Sequence, residues 1–235
     1  MPIIKYKDVI LHFAHIPKCG GTSVERYIQG LKSVSIAFID ERYVSHAPQQ
    51  HWNISSPQHV DGESIARLFP LDFFTAFFAV VRHPMSRLKS AYKFQRTREK
   101  QIGSISFDEF VKTDLRENYL TKGWLDNHFY PQSGFFFPGA NYQVFKLEED
   151  GASFAKEFID HALFGNMASR DIAHTNRSNG NAGLPSQDLE LSAESVDLIH
   201  ELYALDFKNF NYEPETRSLP EDDIATHPLN SRIAS

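Results

Sequence analysis

The residues His15-Ile-Pro-Lys-Cys-Gly-Gly-Thr-Ser23 follow an apolar run, Val9 to Ala14, and precede residues with helical spacing. That order reads as strand, anion loop, helix. Gly20 and Gly21 let the backbone turn sharply and bring its N–H groups close to a bound anion, and the following helix adds free amides and its dipole. Lys18 adds a full charge, and Thr22 and Ser23 add hydroxyl donors. The common nucleotide loop G-x-x-x-x-G-K-[ST] carries lysine after its second glycine, whereas Lys18 precedes the glycine pair. The expected chemistry is phosphate binding by a different loop. The bland alternative is a tight glycine turn with an exposed lysine.

A second junction has the same logic. The uncharged run Ala76 to Val81 has strand length and is broken by Arg82-His83-Pro84 before a helical stretch from Met85 to about Gln95. Pro84 suits the first helical position, and Ser90 lies about 9 Å further along the axis. Arg82 stands at the strand end, able to reach into that space. Two strand-to-helix junctions aimed at an anion fit the carboxyl edge of a parallel sheet, where open α/β folds bind ligands.

HIPKCGGTS followed by VVRHPMSRLKSAY resembles the two signature segments of sulfotransferases that use 3′-phosphoadenosine 5′-phosphosulfate (PAPS), in particular the branch of heparan sulfate 2-O-sulfotransferases and their bacterial relatives. The resemblance implies a P-loop-like three-layer α/β fold with a central, mostly parallel sheet and helices on both faces. It implies that Lys18, Gly20, Gly21, Thr22 and Ser23 hold the 5′-phosphosulfate, and that Arg82 and Ser90 hold the 3′-phosphate. Cys19 departs from the threonine common at that position. Three shorter segments extend the likeness: Ser56-Pro-Gln-His59, Asn127-His128 with Pro131-Gln132, and the stretch from Leu191 to Tyr203 with Asp206-Phe207 and Phe210-Asn211-Tyr212.

The implied reaction moves a sulfuryl group from PAPS to a hydroxyl of a carbohydrate or glycolipid and releases adenosine 3′,5′-bisphosphate (PAP). The acceptor hydroxyl must lose a proton, and histidine is the natural base. His59 is the first candidate by its place in SPQH; His46 and His51 are alternatives, and a structural role is the alternative for each. The three spacings match no compact ligand motif, and the family works without metal, so no metal is expected. Lys18 is expected to stabilise charge on the leaving phosphate. Arg177, in a segment rich in glycine and asparagine from Thr175 to Gln187, is a further candidate for the cofactor pocket. His128 and Gln132 would either meet the acceptor or form a structural polar pair. Phe135-Phe-Phe137 would stack on a ligand or fill the core, Cys19 would react or pack inertly, and His12 and His15 would bond locally.

The elements that must position these residues follow from pattern. Strand-like runs at Val9–Ala14, Val34–Ile39, Ala76–Val81 and Gln143–Leu147 alternate with helical patterns, which predicts a parallel sheet covered on both faces. Val24, Tyr27, Ile28 and Leu31 give the first helix a core face. Ser106 with Glu109, and Ser192, mark helix starts.

The chain has 235 residues, enough for one domain, expected over 1–213 with a polar tail over 214–235. A formal charge of −6 disfavours nucleic acid, an anionic membrane and heavily sulfated acceptors, so the cofactor site must be basic locally. No apolar run reaches membrane-spanning length, the first residues lack a signal-peptide core, and one cysteine fits a reducing compartment, so a cytoplasmic protein is expected. Oligomeric state is not legible. Two other readings are a P-loop kinase, with Val34–Ile39 ending at a magnesium-holding Asp40, and a binding module that has lost its base.

Overall fold

The computed structural model describes residues 1–40, 42–165 and 184–214. Five strands, β1 (Ile3–Tyr6), β2 (Val9–Ala14), β3 (Ser35–Ala37), β4 (Ala76–Val81) and β5 (Tyr142–Lys146), form one sheet in the order β3-β1-β2-β4-β5. The β2–β4 and β4–β5 pairs are parallel, whereas β1 is antiparallel to both β2 and β3. All strands except β1 therefore run the same way, and the sheet is α/β with a parallel centre. This corrects the expected strand at 34–39: it shortens to three residues at the sheet edge and pairs with β1, a strand the alternating pattern did not announce.

Period-two alternation explains the two faces. Leu11, Phe13, Phe78 and Val80 point to one side, where α1 (Gly21–Gln29) contributes Val24, Tyr27 and Ile28 and α6 (Gly151–Phe164) contributes Ala152, Ala155 and Ile159. Ala14, Phe77, Ala79 and Val81 point to the other, against Val60, Ile65 of α2 (Gly62–Leu68), Phe135 and Phe137. Phe135 and Phe137 thus belong to the core, and the aromatic run builds packing. Leu31, expected on the core face of α1, lies beyond its last residue and is only half-buried.

A third cluster lies beyond the parallel strands. It joins α3 (Pro84–Thr97) to α4 (Phe107–Phe110), which passes through a π turn at Val111–Leu115 into α5 (Arg116–Asn118), and to α7 (Ala193–Leu202) and α8 (Ala204–Asn209). Ser106 and Ser192 cap α4 and α7 by accepting from the N–H groups of Glu109 and Ser195. Pro84 opens α3 as its first residue.

Asp206 on α8 ties this helical region to the sheet edge. Its fully buried carboxylate accepts from Gln132 N at 2.7 Å and Ser133 N at 2.9 Å. Nearby Arg87, also fully buried, donates to the carbonyls of His128 and Tyr130, each at 2.9 Å. Asp206→Ala leaves two buried N–H groups without their acceptor and removes the carboxylate facing Arg87. The expected loss is about 3 kcal/mol, read from urea unfolding.

Candidate functional site

The parallel pairing of β2 with β4 brings the two predicted junctions side by side at the carboxyl edge. Ala14 pairs with Ala79, so the loop from His15 to Gly20 leaves the sheet next to Arg82. Gly20 caps α1 in the left-handed region at φ 83°, and Lys18 is also left-handed at φ 68°. Glycine at 20 removes the steric cost of that turn. Gly21 answers a different need: a Cβ there would lie 2.0 Å from the imidazole of His15, which lies against the loop. Among the described residues, the N–H groups of Gly20, Gly21 and Thr22 donate to no backbone carbonyl, leaving a cluster of free donors at the start of α1. Ser23 is buried, and Thr22 is half-buried.

The two junctions are locked by Gln132. Its Oε1 accepts from Arg82 N at 2.9 Å, its Nε2 donates to Arg82 O at 2.8 Å, and Cys19 Sγ donates to the same Oε1 at 3.3 Å. Arg82 Nη1 donates to Lys18 O at 3.3 Å. Gln132 is therefore structural. Burial pushes the Cys19 thiol up to about 12, which makes it an inert packing group. Ser90 is half-buried on α3, one turn before Phe94 on the same helix stripe.

Phe94 is where the two sides of the site meet. Lys18 Nζ stands 4.1 Å from its ring centroid, and His128 stacks on it at 5.1 Å. Burial, and then the neighbouring Arg82, lower the Lys18 ammonium to about 8. Among the described residues Lys18 forms no ion pair, so its charge is held by an aromatic face and left available to an anion.

Beyond His128 lies His59, their ring centroids 5.2 Å apart, and beyond His59 lies His15, at 5.1 Å. Each of these imidazoles is held at Nδ1: His59 by Asp126 Oδ2 at 2.7 Å, His15 by Glu25 Oε1 at 2.6 Å, His128 by Leu125 O at 2.9 Å. Burial keeps His128 neutral, lowering its pKa to about 3. Burial would raise the Asp126 carboxyl, but His59, His128 and the Ser56 N–H together hold it well below the usual carboxylate range. Asp126 also accepts from Ser56 N at 2.6 Å and Ser56 Oγ at 2.9 Å. An ionised carboxylate accepts, so His59 Nδ1 donates and its Nε2 carries the lone pair; among the described residues Nε2 makes no hydrogen bond.

The other candidates fall elsewhere. His51 stacks on Tyr43 and bonds its carbonyl at 2.8 Å, and His46 lies 3.7 Å from Asp40. His12 is fully buried against Tyr142, bonded to its hydroxyl at 2.9 Å. Arg177, most of the 175–187 segment, and residues 215–235 of the expected tail lie outside the described residues. A cavity of about 630 Å³ opens at the opposite edge of the sheet around Phe74, Ala76, Phe77 and Asn141; the one ionisable residue lining it is Asp72, so it lacks the chemistry found at the carboxyl edge.

Sequence reasoning missed Asp126, Glu25 and Phe94. Asp126 directly precedes Asn127-His128, and an acidic residue beside a candidate histidine was the available signal. Glu25 is a charge on the inward side of an amphipathic helix, flanked by buried Val24 and Tyr27. Phe94 carried no signal, because an aromatic on α3 reads as core.

Among the described residues, no helix is long and apolar enough to cross a membrane. Comparisons with curated proteins and with solved structures find no match. The sequence model of the sulfotransferase family (Sulfotransfer_2) matches residues 3–213, nearly the whole described chain. With its anion loop, its parallel sheet edge and that match, the chain belongs to the sulfotransferase family.

Proposed function

We propose that this protein transfers a sulfuryl group from PAPS to a hydroxyl of a carbohydrate or glycolipid acceptor, with His59 as general base and Lys18 as the principal cation. One observation carries the reading: the loop lysine and the carboxylate-held histidine are separated by a single stack, Lys18 on Phe94, Phe94 on His128, His128 on His59. A donor anion on the loop and a hydroxyl at His59 would then approach each other from the two ends of that stack.

The residues fit the donor. Free N–H groups at Gly20, Gly21 and Thr22, together with Lys18 and Thr22 Oγ1, would receive the 5′-phosphosulfate, while Arg82 and Ser90, with Arg177 as a further candidate, would receive the 3′-phosphate. Bound PAPS supplies a sulfuryl group on a good leaving phosphate. His59 Nε2 takes the acceptor proton as the acceptor oxygen forms its bond to sulfur. Asp126 orients the imidazole and stabilises it once protonated. As the bond from sulfur to the phosphate oxygen breaks, its electron pair stays on that oxygen, and Lys18 with the loop amides stabilises the charge. The sulfuryl group carries less charge than a phosphoryl group, so the reaction needs no metal. A net charge of −6 favours an uncharged acceptor over a polyanion.

PAP without magnesium should raise the melting temperature, and ATP with magnesium should not; stabilisation by ATP with magnesium alone would return the chain to kinase chemistry. Labelled PAPS with a panel of neutral glycans and glycolipids then identifies the acceptor.

Lys18→Ala should lower turnover by on the order of a thousandfold with the fold intact by circular dichroism. His59→Ala and Asp126→Asn should each lower kcat by roughly a hundredfold or more while the Kd for PAP stays within about twofold of wild type. Comparable losses in His46→Ala or His51→Ala would reassign the base.

Donor affinity should depend on pH through Lys18. Its ammonium is charged below about 8 and neutral above it in the free protein. An anion that pairs with the ammonium raises that pKa, so binding takes up a proton above 8 and the affinity for PAP falls as pH rises. Calorimetry should find up to about a tenfold weakening per pH unit above the midpoint, absent in Lys18→Ala.

A further inference from the structure

The acceptor side of the site gathers more ligating groups than proton transfer uses. His59, Asp126 and His128 each offer one ligand atom, and these atoms lie within 4.8 Å of one another. His128 gives Nδ1 to Leu125 O at 2.9 Å, which leaves the lone pair on Nε2. His59 is fixed by a carboxylate at 2.7 Å. An imidazole oriented as His128 is, by a backbone carbonyl, is what outer-shell groups provide at metal centres.

The backbone supports the same convergence. Leu125, Asp126 and Asn127 are consecutive left-handed residues at φ 46°, 53° and 58°, none of them glycine. Such a run persists only where its surroundings over-determine it. Here Asn127 receives Gly123 N at 2.7 Å and donates to His59 O at 2.8 Å, and Ser56 holds Asp126 through two bonds. The turn places Asp126 and His128 around His59. A base and its carboxylate account for two of the three groups, and His128 is left over.

We propose that His59, Asp126 and His128 form an inhibitory site for a divalent transition metal, of which Zn²⁺ best matches an imidazole and carboxylate donor set. The metal takes the place of the proton between His59 Nδ1 and Asp126; that proton passes to His59 Nε2, and the lone pair that would take the acceptor proton is lost. Ligands about 2.0 Å from zinc in a tetrahedron lie roughly 3.3 Å apart, so His59 Nδ1 and Asp126 Oδ2, 2.7 Å apart, must open slightly to admit the ion. The site is thus filled reversibly from solution and is not a permanent structural centre. Metal binding stands on this geometry alone; only the inhibition rests on His59 being the base.

The test uses the full chain, stripped with EDTA and titrated with Co²⁺ and, separately, Zn²⁺. One equivalent should bind, with a visible Co²⁺ spectrum of low coordination number. His128→Ala and His59→Gln should each weaken binding by about tenfold or more, while His46→Ala and His51→Ala leave it unchanged. Zn²⁺ should inhibit turnover, EDTA should restore it, and His128→Ala should raise the inhibiting concentration by the same factor as the Kd. The PAP-induced thermal shift in EDTA, measured for every variant, reports fold and donor site separately, so a failure of metal binding is distinguishable from a failure of the sulfuryl-transfer reading. Absence of saturable binding, or binding that survives His128→Ala, would overturn the site; specific binding without inhibition would overturn its effect on the base.

Discussion

The parallel pairing of β2 and β4 is the constraint on which the site depends. Adjacent strands stand about 4.8 Å apart, and because these two run the same way, the loops after Ala14 and Val81 emerge at one edge as neighbours. Each loop ends in a helix, so each brings unpaired amides, and each carries a cation, Lys18 or Arg82. Two cations at one edge repel, which appears in Arg82 lowering the Lys18 ammonium. Gln132 opposes that repulsion without charge. Its amide pairs with both backbone groups of Arg82 and accepts the Cys19 thiol, so the loops stay in register before any anion arrives.

The histidine cluster is built at a local cost. Three left-handed residues in sequence cost roughly 1–3 kcal/mol each, and buried imidazoles lose hydration. The turn is offset by side chains that bond back to it, Asn127 to Gly123 and His59, Asp126 to Ser56 and His59. Arg87 holds the next residues through the carbonyls of His128 and Tyr130, and Tyr203 donates to Phe129 O at 2.6 Å. The position of the histidines is therefore set by the helical cluster, which places α3, α7 and α8 within the same functional unit as the sheet.

The loop edge was legible in the sequence because its geometry is local. A lysine, two glycines and two hydroxyls in succession, after a six-residue strand, state their geometry without tertiary information, and β2 and β4 begin and end where their apolar runs do. The histidine cluster was only half legible. His59 could be placed by SPQH, but its partner comes from a turn 67 residues later, and no period in the sequence encodes that contact. The strand at 34–39 shortened for a related reason: β1, four residues with a polar end, has too little pattern to announce itself, yet it occupies the place beside β2.

The charge distribution links the two halves. The chain as a whole is acidic, at −6, while the loop edge holds half-buried Lys18 and Arg82 without carboxylates paired to them among the described residues. Two carboxylates, Glu25 and Asp126, are turned onto histidines. Glu148, at the loop edge, accepts from His83 N at 2.9 Å and leaves Lys18 and Arg82 available to an anion. Lys18 rests on Phe94 and not on an acid for the same reason: a carboxylate partner would have to be displaced by each incoming anion, whereas an aromatic face gives up the ammonium at a cost of about 0.5–2 kcal/mol. Releasing Lys18 from that face alters the packing of a ring on which His128 also stacks, so an anion arriving at the loop would be felt at His128, the neighbour of His59.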